Sequence, residues 1–271
     1  MYWLVNMVDI HNHTKYSFDS KEEPENLINA AIKYGGKVLG ISDHLNLTDL
    51  SNMNCVLEDV KTYCENIKKL SFDYKNQIKI VCGLEFNYFK GQDKKYKKVS
   101  QLNGLDYIIN SVHYIGDTTF YKPGFFDSYS RKEIIDVYLD EVIKSLHVNY
   151  DFQILGHLGQ ISKLFPYDDK LIRYEDSPKK IDTILNFIIK NDICLECNTN
   201  YDGKTFFPHQ SILRRYYELG GKFISLGSDA HIANKVYKYN KEAVTTLKEI
   251  GFKKLTYFSK KNKMFVEMEN I

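Results

Sequence analysis

"VDIHNHTKYSFDS", residues 8–20, closes an apolar run with two histidines one residue apart. Side chains alternate faces along a strand, so Asp9, His11 and His13 would share one face, with Val8, Ile10 and Asn12 on the other. Two imidazoles at a strand's end can reach one metal ion. They can equally be solvated loop residues, and an isolated His-x-His does not choose between these readings. The choice depends on whether the rest of the chain repeats the pattern.

It repeats. Strand-like runs are expected over 5–13, 38–44, 78–85, 107–113, 152–157, 193–198 and 223–229. Between them lie stretches such as "EDVKTYCENIKKL" and "PKKIDTILNFIIKN", with apolar residues at three-to-four spacing. Ser20-x-x-Glu23 before Pro24 predicts a capping box and a helix to about Tyr34, ended by Gly35-Gly36. A further strand is expected over 263–268. Alternating β and α implies a parallel sheet with helices outside, and no linker or composition shift divides the chain. One domain over 1–271 is expected.

Each run ends on a residue fit for metal or proton chemistry. The ends are His11 and His13, then Asp43-His44, Glu85, His113, His157, Glu196, and finally Asp229 with His231. A parallel barrel brings all strand C-termini to one mouth, so six of the eight histidines and several carboxylates would converge there. Buried charge needs partners or a metal. Imidazole with carboxylate suits Zn, Mn or Fe better than Ca or Mg. Adjacent ions sharing a carboxylate generate hydroxide at neutral pH and clamp a phosphoryl oxygen, so phosphoester hydrolysis is the leading chemistry. Amide or ring-amine hydrolysis would use the same hydroxide.

The bulk properties narrow the class. The 271 residues are 43% hydrophobic and 27% charged, with net charge +2, as in an ordinary soluble protein with no general attraction to nucleic acid or anionic membrane. No apolar stretch nears the ~20 residues of a membrane span, and "MYWLVNMVDIH" lacks the marks of a signal peptide. Five scattered cysteines predict a reducing cytoplasm rather than a disulfide framework. Cys194-x-x-Cys197 falls in a strand that turns the two thiols to opposite faces, so they read as buried structural thiols. The basic run "KGQDKKYKK" (90–98) reads as a solvated loop or helix face. His147 is expected at the surface after a helix, and His209 at a helix start. The aromatic loops 116–130 and 162–177 follow strand ends, where they could cover a substrate or simply form surface.

The ordered set "DIHNHT", "ISDH", "GLEF", "SVHY", "LGHL" and "GSDAH" resembles the polymerase-and-histidinol-phosphatase (PHP) family over nearly the whole chain. Within it, "LECNTN" and "ILRRYYELGGKFISLGSDAH" resemble the stand-alone phosphatases acting on histidinol phosphate. The resemblance implies a distorted (β/α)7 barrel with three divalent ions. His11, His13, Glu85 and Asp229 would hold the first. Glu85 would bridge to a second with His113 and His157, and Asp19, His44 and His231 would hold a third. Lys163 would hold phosphate, or Arg173 in its place. Asp43, His231 or a water on a metal would assist the leaving group. Glu196, Asn198, Tyr114 or Phe126 would surround the substrate's ammonium and imidazole. A PHP phosphoesterase for phosphotyrosine, a nucleotide or another metabolite, a nucleic-acid exonuclease, and a metal-stabilised binding domain without catalysis are the alternatives.

Overall fold

The computed structural model describes residues 7–45 and 53–270, so the expected start of the first strand at 5–6 lies outside the described residues. Seven strands pair in parallel in chain order: β1 (Met7–Asp9), β2 (Gly36–Ile41), β3 (Lys79–Asn87), β4 (Tyr107–Ser111), β5 (Ile154–Leu155), β6 (Cys194–Asn198) and β7 (Ile224–Gly227). The two ends of this sheet meet. The Ile10 N–H donates to the Leu226 carbonyl at 2.9 Å, Asp229 N–H to His11 at 2.8 Å, and His13 N–H to Ala230 at 2.8 Å. A two-residue strand, His44–Leu45, continues beside β3. The helices α1 (Pro24–Lys33), α2 (Met53–Asp73), α3 (Asp93–Ser100), α4 (Arg131–Leu146), α5 (Pro178–Lys190), α6 (Gln210–Glu218) and α7 (Asn240–Ile250) follow the strands in turn. The expected distorted barrel is the observed fold.

One local expectation is corrected and another extended. Ser20 does not cap α1: Glu23 is the N-cap, with no side-chain bond, and the Ser20 hydroxyl donates to the His231 carbonyl at 3.0 Å. Ser20 is used instead to tie the loop after β1 to the loop after β7. Ser130 and Glu133 do form a capping box, at the start of α4. The expected late strand is half of an antiparallel hairpin, β8 (Lys254–Ser259) with β9 (Asn262–Glu267). Its turn residues Lys260 and Lys261 both have positive φ without glycine or asparagine, so the usual hairpin signal is missing.

One aromatic ring fixes how the first four strands pack. Tyr107 on β4 is fully buried, and its hydroxyl donates to the Ile10 carbonyl at 2.7 Å. Glycines on the intervening strands make room for it. A Cβ at Gly83 would lie 2.3 Å from the ring's Cζ, and one at Gly40 would lie 2.2 Å from the hydroxyl. Gly83→Ala is therefore expected to destabilise by about 1–3 kcal/mol through overpacking. Urea unfolding should show a lower midpoint at unchanged slope. A midpoint equal to the parent's would mean that the ring can move aside freely.

Candidate metal centre

The six histidines at the strand ends form one connected cluster. Ring centroids are 5.1 Å apart for His11–His13, 4.5 Å for His13–His44, 4.3 Å for His13–His231, 5.7 Å for His44–His113, 4.9 Å for His113–His157 and 5.6 Å for His11–His157. Glu85, buried at the end of β3, stands among them. Its Oε1 lies 2.8 Å from His157 Nε2, and its Oε2 lies 3.2 Å from His11 Nε2, 3.5 Å from His13 Nε2 and 3.1 Å from His44 Nδ1. Asp229 Oδ1 is 3.2 Å from His13 Nε2 and 3.9 Å from His11 Nε2. Asp19 Oδ2 is 3.1 Å from His231 Nε2 and 3.4 Å from His44 Nε2.

Four of the imidazoles are held through Nδ1, so that Nε2 faces the cluster. His11 Nδ1 donates to Glu196 Oε1 at 2.6 Å, His13 Nδ1 faces Ser17 Oγ at 3.1 Å, His113 Nδ1 bonds Asn87 Oδ1, and His231 Nδ1 donates to the Asp229 carbonyl at 3.0 Å. A partner on the outer nitrogen fixes ring orientation and tautomer, as in metal-ligating histidines.

The electrostatics call for positive charge at the centre. Burial alone would raise the Glu85 carboxyl, but the His44 and His11 charges and two hydrogen bonds hold it well below its ordinary value. Asp229 is likewise held low by its hydrogen bond from His13 and by the neighbouring imidazoles, against its burial. Burial pushes His13 down to about 4, helped by His44, and His113 down to about 3. Burial also opposes protonation of His231, but Asp19 and Asp229 raise it to about 9. His11 is raised well above its ordinary value by Glu196 and Glu85, against its burial. Protons thus share out the charge that carboxylates this deeply buried require. Metal ions replace such protons when they bind. His44 Nδ1 is buried with no hydrogen-bond partner, though Glu85 Oε2 is close by. The donor set fits divalent ions. Ligand atoms fall into three groups, each within 4.8 Å of one another: His11, His13 and Glu85; Glu85, His113 and His157; and His13, Asp19, His44 and His231. His13 thus touches the third group as well as the first.

A cavity of about 480 Å³ opens above the cluster. His11 and His13 lie beneath it, fully buried, while Glu85, Asp229, Asp19 and the other four histidines line it. Lys163 also lines it, the one lysine or arginine among the lining residues, and burial pushes its ammonium down, with Asp229 opposing. Tyr114 lines the cavity as expected.

Several expected site residues are placed elsewhere. Asp43 is fully engaged by Thr14, whose N–H and hydroxyl both donate to its carboxylate, the hydroxyl at 2.7 Å. It braces the loop after β1 and is not among the residues that line the cavity. Arg173 grips Asp169 with both carboxylate oxygens at 2.8 and 2.9 Å, away from the cavity. Glu196 sits behind His11 and uses its second oxygen on the His157 N–H at 2.6 Å, so it is not open to a substrate ammonium. Asn198 accepts from the Asn200 N–H and does not line the cavity. Phe126 packs against Phe125 and Phe165 instead. His209 caps α6 through Nδ1, which accepts from the Ser211 N–H, and His147 is exposed after α4. Cys194 and Cys197 are buried and free.

Other residues were not foreseen. Gln160 and Asn200 donate to Asp229 Oδ2 at 3.1 and 3.0 Å, holding that oxygen while Oδ1 faces His13. Phe18 stacks on His44 at 5.3 Å, Tyr121 lies 5.9 Å from His113, and both line the cavity. Gln160 follows "LGHL" and Asn200 follows "LECNT", close enough to the recognised motifs to have been suspected. No described helix is long and apolar enough to cross a membrane.

Known proteins match this architecture over nearly its whole length. A curated protein of Lactococcus lactis subsp. lactis (strain IL1403) named histidinol-phosphatase is 31% identical over 261 residues, covering 93% of this chain and 94% of that protein. A protein of Clostridium acetobutylicum named "Probable histidinol-phosphatase" is 28% identical over 257 residues, covering 93% of this chain and 97% of its own. The crystal structure of histidinol phosphate phosphatase from the same Lactococcus, complexed with Zn, L-histidinol and phosphate, superposes with a TM-score of 0.85 at 27% identity, covering 96% of this chain and 99% of that one. The model of the PHP domain matches residues 9–200, well over half of the chain, which therefore belongs to the PHP domain family.

Proposed function

We propose that this chain is a metal-dependent phosphatase that hydrolyses L-histidinol phosphate to L-histidinol and phosphate, a step of histidine biosynthesis in the cytoplasm. The observation that carries the reading is the cavity itself. Six imidazoles and three carboxylates converge beneath and around it, and a single lysine faces them. The relatives' names and the Zn, L-histidinol and phosphate of the Lactococcus structure support the substrate.

In this reading His11, His13, Glu85 and Asp229 hold one divalent ion, Glu85, His113 and His157 a second, and Asp19, His44 and His231 a third. Zn is favoured by the Lactococcus structure, with Mn and Fe suited to the same donors. Such ions supply Lewis acidity, which activates water near neutral pH and draws charge from a phosphoryl group. The chain's own residues do the rest. Glu196, Asn87 and Ser17 orient the ligating rings, and Gln160 and Asn200 fix Asp229. Lys163 binds a phosphate oxygen, while His231, with Nδ1 on the Asp229 carbonyl and Nε2 toward Asp19 and the third ion, serves as a ligand and keeps no proton for the leaving group. Phe18, Tyr114 and Tyr121 offer π-faces to the substrate's ammonium and imidazole.

The decisive assay is phosphate release from L-histidinol phosphate, p-nitrophenyl phosphate and a 3′-phosphorylated DNA end, on protein of known metal content. A kcat/KM at least about a hundredfold higher for L-histidinol phosphate, worth ~2.7 kcal/mol, is expected of a pocket that recognises its substrate. Equal, feeble rates on all three would overturn the substrate.

Lys163→Met tests the phosphate contact. A charge-assisted hydrogen bond is worth about 1.5–3 kcal/mol, so kcat/KM should fall about 10- to 150-fold with metal content unchanged. A parental kcat/KM would remove Lys163 from the site.

A further inference from the structure

A second feature lies on the same strand as Glu85 but at the far end of the barrel. Cys64 on α2 and Cys82 on β3 face each other with sulfurs 3.9 Å apart. Both are buried. Cys82 nonetheless lines a cavity of about 540 Å³ at that end, together with Ile80, Gly104, Leu105 and Asp106. The surroundings hold the pair in place. Asp106 Oδ2 accepts the Cys82 N–H at 2.9 Å, and Tyr63, next to Cys64, donates to the carbonyls of Ile41 and Gly83 at 3.0 and 2.8 Å. Gly104, at φ +107, leaves the space that Cys64 fills; a Cβ there would lie 2.9 Å from the Cys64 Cβ.

The two thiols are not equivalent. The hydrogen bond from Cys82 lowers Cys64, against its burial, while that bond and burial raise Cys82. Cys82 donates the hydrogen bond between the two sulfurs, which makes Cys64 the one poised as an attacking thiolate and Cys82 the resolving thiol. Cys194 and Cys197 have no such arrangement: burial raises both, Cys194 to about 12.

We propose that Cys64 and Cys82 form an oxidisable dithiol, a modification site that hydrogen peroxide converts into an intramolecular disulfide. The Cys64 thiolate attacks one peroxide oxygen, the O–O bond breaks, and the departing hydroxide takes up a proton as water. Cys82 then attacks the sulfur of the resulting sulfenic acid. The S–O bond breaks, hydroxide leaves with the Cys82 proton as water, and the S–S bond forms. Two thiols are oxidised by two electrons in all and one peroxide is reduced to two waters. The sulfurs must close from 3.9 Å to about 2.05 Å for the bond to form. Thiol–disulfide exchange with an added dithiol reverses the bond.

The test uses the whole reduced chain, treated with a small excess of hydrogen peroxide at neutral pH, alkylated with N-ethylmaleimide and mapped by mass spectrometry. The expected product joins the Cys64 and Cys82 peptides, lighter by two hydrogen atoms and separated again by dithiothreitol. In Cys82→Ser, Cys64 should instead be trapped by dimedone as the sulfenic acid, and in Cys64→Ser no cross-link should form. Alkylation of both cysteines after peroxide, a cross-link through Cys55, Cys194 or Cys197 instead, or over-oxidation of Cys64 without a bond would overturn the proposal. The parent map decides by itself if either variant fails to fold.

Discussion

Replacing Glu85 by glutamine should reduce kcat/KM by more than about a thousandfold, since the charge stabilisation lost is several kcal/mol and each ~1.36 kcal/mol is tenfold. It should also strip at least one ion from the chain. The argument rests on what surrounds this one carboxylate. Four imidazoles stand within 3.5 Å of its two oxygens, on both sides, and His113 Nε2 is 3.8 Å away. Glutamine has the same size and can accept at one end, but it brings no charge and presents an amide N–H₂ where a ligand oxygen is needed. The buried imidazoles would then lack the anion that offsets their protonation or their ions, and removing one partner of a buried pair costs far more than a surface pair is worth. Plasma emission spectrometry of the purified variant, beside phosphate release from L-histidinol phosphate, checks both parts. Parental metal content with activity within tenfold of the parent would refute a bridging role for Glu85.

The sequence made this residue visible because Glu85 closes an apolar, strand-like run. Seven β-rich runs alternating with helical patterns predict a parallel sheet whose strand ends lie on one side, and closure into a barrel was what the resemblance to the PHP family implied. The six clustered histidines were legible on the same ground. What the strand ends do not reveal is depth. Asp43 and His44 are adjacent and so point apart: His44 reaches Glu85 while Asp43 is taken up by Thr14. Glu196 lies two residues before the end of its strand, as Glu85 does, yet it sits one layer behind the ligands. Only three-dimensional neighbours distinguish the layers. Loop residues carry no periodicity, which is why Phe18, Tyr121, Gln160 and Asn200 were missed. The hairpin escaped for a related reason. Its turn at Lys260-Lys261 adopts a backbone usually marked by glycine or asparagine, and docking supplies what the turn sequence lacks, with the Lys260 N–H on Asp106 Oδ1 at 2.7 Å.

Glu196→Gln should weaken metal binding about 10- to 100-fold, the range measured for partners of ligating histidines, and leave KM for L-histidinol phosphate near the parental value. One Glu196 oxygen accepts from His11 Nδ1 and the other from the His157 backbone N–H, both at 2.6 Å, so a single carboxylate orients a ligand from each of two adjoining groups. The backbone around it is cut to fit. A Cβ at Gly227 would fall 2.2 Å from Glu196 Oε1 and 2.4 Å from the His11 Cβ, so the neighbouring strand has no side chain there. Glutamine can keep only one of the two bonds, because its amide N–H₂ must face either the His11 Nδ1–H or the His157 N–H, donor against donor. If it keeps the His11 bond, the neutral acceptor still loses the charge that makes the ring a stronger ligand. Zn titration against a competing chelator reads the affinity, and saturating Zn should restore most of kcat, since no group that touches substrate has been changed. A raised KM with unaltered Zn affinity would return Glu196 to the substrate's ammonium. Weakened Zn binding with parental KM would fix it as the residue that positions His11 and, through the backbone, His157.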